Sequence, residues 1–122
     1  MFSWRKRTKV DVVETDPREA LLNEGLDLAM QWGKDWLKPV QARLGALHQE
    51  LSQSELDGVN SVCQDAMKFG HNYVYSALES RKDIKQSDLE VAMKQRWPWV
   101  NAKNLSHLFS QGMYYAMKDG LR

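Results

Sequence analysis

From Ser54 to Glu79 apolar residues return at helical spacing for about seven turns with no proline to interrupt them. Leu56, Val59, Cys63, Met67, Gly70, Val74, Ala77 and Leu78 fall along one side, and Val62, Phe69 and Tyr73 form a second edge. A stripe this long and wide can leave water only by packing against several neighbouring helices. Cys63, Ala66, Gly70 and Ala77 are small, so another helix can approach closely there. The run therefore predicts the central helix of an all-α, single-domain bundle of four to five helices.

The flanking segments fit that frame. Asp16 is placed as an N-cap and Pro17 suits a first helical position, where its missing N–H would have no partner anyway. Glu19 follows at the positive end of the dipole. Leu22, Gly25, Leu26, Ala29, Gly33, Trp36 and Leu37 share one face, widened by Leu21, Leu28 and Trp32. Pro39 breaks or kinks this helix at Lys38. Val40, Leu44, Leu47 and Leu51 then form a narrow seam on a short helix.

Ser52 or Ser54 caps the central helix. After a polar connection at Arg81–Lys85, Ser87 with Glu90 reads as a capping box for a short helix carrying Leu89, Ala92 and Met93, stopped by Pro98. Asn101 caps the last helix, whose face is Leu105, Leu108, Phe109, Gly112, Met113 and Ala116, and Gly120 is its C-terminal stop. Ala-Met-Lys at 66–68, 92–94 and 116–118 lacks matching flanks and is no repeat unit.

Charge divides the chain unevenly. Residues 1–10 hold Arg5, Lys6, Arg7 and Lys9 and no acid, a local charge of +4, whereas the other 112 residues hold 13 bases and 16 acids. Residues 1–15 read as a basic arm, extended or disordered, ahead of a slightly acidic bundle at 16–120. The body lacks the basic face that nucleic-acid recognition needs. Trp4, Arg5, Lys6, Arg7 and Lys9 suit contact with an anionic membrane surface or with nucleic-acid phosphate. An accessory protein tethered through that arm is one alternative function.

Reactive chemistry finds little support. His48, His71 and His107 lie one on each of three helices, none with another His or Cys a turn away, and no Glu-x-x-His occurs. Cys63 and His71 stand about 12 Å apart along one helix, beyond a nucleophile–base hydrogen bond. Asp83 with Asp88, and Glu50 with Glu55, sit at helix ends, where acids serve caps and dipoles. No phosphate loop or nucleophile elbow occurs. No metal, cofactor or catalytic residue is expected, and the chain is not read as an enzyme. A ligand-binding or metal-binding bundle, with a pocket lined by Trp32, Trp36, Met67 and Tyr73, is a further alternative.

The aromatic residues carry the preferred reading. Two indoles flank a proline in Trp97-Pro98-Trp99 and cannot easily both point inward, so the turn is either a lid on the bundle or, through Trp97 and Trp99, a partner anchor. Tyr114 lies nearly opposite its helix's apolar face. These residues predict a helical binding or regulatory protein that meets a protein partner or a second copy of itself as a homodimer. One cysteine, no secretion-like leader and no apolar run of membrane-spanning length point to the cytoplasm.

Overall fold

The computed structural model describes residues 16–31 and 39–121. The expected arm at 1–15 lies outside them. Among the described residues, five helices make an all-α bundle: α1 (Pro17–Met30), α2 (Val40–Leu47), α3 (Gln53–Glu79), α4 (Gln86–Arg96) and α5 (Ala102–Lys118). The long α3 packs against the other four, most extensively against α5 and then α1. Leu26, Met30, Leu44, Cys63, Val74, Leu89, Met93 and Leu108 are fully buried between them.

The helix starts follow from side-chain acceptors. The Asp16 carboxylate accepts from Arg18 N–H at 2.9 Å, and Asn101 Oδ1 accepts from Asn104 N–H at 2.9 Å. At α3 the box is reciprocal: Ser52 Oγ accepts from Glu55 N–H at 3.1 Å, and Glu55 Oε1 accepts from Ser52 N–H at 2.9 Å. The Ser52 backbone N–H, and after it the Ser52 hydroxyl, hold the Glu55 carboxyl below its usual range by hydrogen bonding. The predicted Ser87–Glu90 box does not form. Helix α4 begins earlier, because the Asp88 carboxylate accepts from Lys85 N–H at 2.8 Å and fixes Lys85 as the cap.

Two further expectations are corrected. The apolar face of α1 was expected to run on to Leu37; α1 ends at Met30 with Gln31 extended, and Gly33, Trp36 and Leu37 lie outside the described residues. The Met30 carbonyl there accepts from the Gln111 side chain of α5 at 2.6 Å, which satisfies a terminal acceptor without another helical turn. Leu47, expected on the α2 seam, is exposed; α2 stops at it, so only Val40 and Leu44 are buried, with Leu51 half-buried.

The ends of α3 and α5 share one geometry. After α5, Leu121 N–H bonds Ala116 O at 2.9 Å and Gly120 N–H bonds Met117 O at 3.0 Å, with Gly120 at φ 85°. After α3, Lys82 N–H bonds Ala77 O at 2.8 Å and Arg81 N–H bonds Leu78 O at 3.0 Å, with Arg81 at φ 58°. The left-handed position that glycine takes without penalty is thus filled by an arginine. Arg81→Gly should raise stability by about 1 kcal/mol, read as a higher midpoint in urea unfolding. An unchanged or lower midpoint would contradict this turn.

Candidate functional site

Three amides do what no apolar pattern shows. Asn23 of α1 is buried and spends most of its side chain on the opposite end of the chain. Its Nδ2 donates to Trp99 O at 2.7 Å and to Glu19 O at 3.0 Å, and its Oδ1 accepts from Asn101 N–H at 2.9 Å. Asn104 of α5, 2% exposed, donates its Nδ2 to Asn23 O at 2.9 Å and to Asn23 Oδ1 at 3.0 Å. Gln111, also buried, ties α5 to the end of α1 and accepts from His71 at 3.0 Å. That contact sets the proton on Nε2 of His71, since the amide oxygen can only accept. Sequence reasoning missed all three amides. The available signal was a polar residue inside an apolar stripe: Asn23 beside Leu22 and Leu26, Asn104 beside Leu105 and Leu108.

This clamp decides the position of the tryptophan turn. Val100 N–H bonds Trp97 O at 3.1 Å, and Trp99 O is taken by Asn23. Trp97 and Trp99 are both half-buried against the core, so neither indole stands out alone. The Trp97 ring meets Phe69 edge-on at 5.2 Å, and the Arg96 guanidinium lies over both rings at 4.7 and 4.8 Å.

Cys63 and two of the histidines have structural positions. Cys63 is fully buried, donates its thiol to Leu22 O at 3.2 Å, and has its pKa pushed up to about 12 by burial. That is the opposite of an activated thiolate. His71 sits in the α3–α5 seam against the Tyr115 ring at 5.3 Å. Burial lowers its pKa, and nearby His107 adds to that. His48, at the end of α2, contacts Glu24 of α1 at 2.5 Å and Glu50 at 3.5 Å. The described residues contain no group of three His, Cys, Asp or Glu side chains placed to hold a metal.

The histidine pair gives a pH prediction with two signs. Glu24, then Glu50, raises the His48 pKa above its ordinary value of 6.5. A raised folded pKa means a contribution that is complete below pH 6.5 and fades as pH rises through the elevated value. His71 has a lowered folded pKa, so its contribution is complete above pH 6.5 and fades as pH falls. Glu24→Gln should therefore cost more stability at pH 5.5 than at pH 8.5 in paired urea titrations; an equal cost at both would refute the His48 assignment.

Open grooves flank the bundle among the described residues. One, of about 540 Å³, lies along α3 and the α3–α4 connection, with Phe69, Tyr73, Ile84 and Asp88 in its walls. Tyr73 thus faces an open groove rather than an enclosed pocket, while Met67 packs on the core and Trp32 and Trp36 lie outside the described residues. Another groove, of about 530 Å³, lies between the start of α1 and the α2–α3 turn. On α5, Tyr114 and Met117 are 50% and 53% exposed. Trp4, Arg5, Lys6, Arg7 and Lys9 lie outside the described residues.

Fold and surface together define a helical bundle closed by buried amide clamps, with aromatic residues on its outer faces and no described helix long and apolar enough to cross a membrane. Compared with known proteins, the chain matches no family model, no curated protein and no solved structure.

Proposed function

We propose that this chain is a small cytoplasmic binding or regulatory protein, not an enzyme, that acts through protein–protein contact and associates first with a second copy of itself. The observation that carries the reading is the outer face of α5, where Tyr114 and Met117, one turn apart, expose half of their large side chains. Tyr115 continues that surface to the His71 ring through a 5.7 Å edge contact with Tyr114. Tyrosine and methionine are the residue types that interfaces favour, because they offer large adaptable contact area at low entropic cost. The placement of Cys63 and His71 in packing contacts supports binding over catalysis.

Light scattering across a concentration series tests this. The expected result is a dimer mass that falls to the monomer in Tyr114→Lys/Met117→Lys, with an unchanged helical spectrum. A monomer at every concentration would remove self-association from the reading.

A further inference from the structure

The groove between the start of α1 and the α2–α3 turn combines three features that point to one occupant. Its apolar part is Ala20, Leu21 and Leu51, the two leucines half-buried on the core. Its charged part is Glu24, Glu50 and Glu55, opposed among the lining residues only by Arg18 and by His48, itself engaged by Glu24 and Glu50. The third feature is position. Pro17 and Arg18 form part of the wall, so the chain before Asp16 joins the fold at the groove itself.

We propose that this groove is the docking site of the chain's own segment Met1–Lys9. That segment carries Phe2 and Trp4 beside Arg5, Lys6, Arg7 and Lys9. The rings match the leucine floor, and the bases match the three carboxylates. The tether is short: six residues separate Lys9 from Asp16, an extended reach of about 20 Å. Such a tether holds the segment at an effective concentration of about millimolar, so contacts too weak to hold a free peptide suffice to occupy the groove. The α3 groove is the poorer match, because Lys82 lies among its lining residues with Asp83 and Asp88 and no part of it adjoins Asp16. The proposal is independent of self-association through α5, which uses a different surface.

The segment is testable in the full chain with a nitroxide on Ser3→Cys. Cys63 is buried with a pKa of about 12, so the label goes to the new thiol alone. Paramagnetic broadening is read on backbone amides. A tethered but undocked label broadens residues near Asp16 as well, so Arg5→Glu/Lys6→Glu/Arg7→Glu supplies the baseline.

Broadening of Leu21, Glu24, Glu50 and Leu51 should exceed that baseline clearly. It should fall to baseline in Glu50→Lys, which replaces an exposed carboxylate whose other contact is His48 at 3.5 Å, and in 1 M salt, where the Debye length is about 3 Å. Broadening equal to baseline would overturn the proposal, as would an excess at Tyr73 and Ile84. A sample mixing labelled chain with isotope-enriched unlabelled chain separates the remaining case: broadening of the groove only across molecules would mean a second copy's arm, and would overturn docking within one chain.

Discussion

Asn23→Leu will cost about 3–5 kcal/mol of folding stability, most of a small domain's margin, although leucine matches asparagine's place in an apolar stripe. The side chain is buried and makes four bonds that leucine cannot make. Glu19 O keeps its helical partner, but Trp99 O, Asn101 N–H and one Asn104 N–H lose theirs. The Asn104 donor is buried and the Trp99 and Asn101 groups are part-buried, and each orphaned group costs up to about 1–3 kcal/mol. Urea unfolding measures the loss, and hydrogen exchange locates it, because the Asn101 amide should exchange faster while the interior of α3 exchanges in step with global stability. The double variant Asn23→Leu/Asn104→Leu should lose less than the two single losses added, since it removes one of the stranded donors as well. A single-variant loss below about 1 kcal/mol would mean that water reaches these groups and the clamp is not a buried one.

That clamp also shows where the sequence stops being legible. The pattern of apolar residues delivers the all-helical class, the extent of α3 to within a residue, the caps at Asp16 and Asn101, and the α3 cap as one of two serines, Ser52 or Ser54, because each is a local rule: a period, or an acceptor facing N–H groups two or three residues on. The Gly120 stop is legible for the same reason. The end of α1 is not, because Met30 is the last residue for a reason located on α5, the Gln111 amide. The start of α4 was misplaced because two acids, Asp88 and Glu90, compete for one role and only the geometry of Lys85 selects between them. Arg81 gave no signal at all: nothing in an arginine announces a left-handed turn.

The candidate surface was legible to a lesser degree. The outward aspect of Tyr114 follows from its angle around α5. The closure of Trp97 and Trp99 onto the core depends instead on Phe69, Arg96 and Asn23, which are far apart in the chain. Side-chain type alone left the turn either a lid on the bundle or a partner anchor, because two indoles beside a proline do not easily both point inward. The structure accommodates both because the Trp97 ring meets Phe69 of α3 and the Trp99 carbonyl is tied down by the Asn23 amide.

The same substitution in two helices will have opposite signs, and the sequence alone gives no means of telling which is which. Gly112→Ala and Gly58→Ala each add one methyl group to a helix interior, and helix propensity alone favours both by about 1 kcal/mol. At Gly58 a Cβ meets nothing within 4 Å, so that gain should be realised and the urea midpoint should rise. At Gly112 the new Cβ would lie 2.8 Å from Val74 Cβ and 3.2 Å from both of its methyl carbons. Val74 Cβ is bonded directly to the α3 backbone and cannot rotate away, so α3 and α5 must separate along their main contact. Overpacking of this kind costs about 1–3 kcal/mol, and here it has to exceed the propensity gain, leaving a net loss of about 2 kcal/mol at its upper range. Val74→Ala in the Gly112→Ala background should recover only part of the loss, because it removes the methyls at 3.2 Å and leaves the Cβ at 2.8 Å. If Gly112→Ala proves as stabilising as Gly58→Ala, then the two longest helices do not approach at Gly112 and Val74 as closely as the bundle requires.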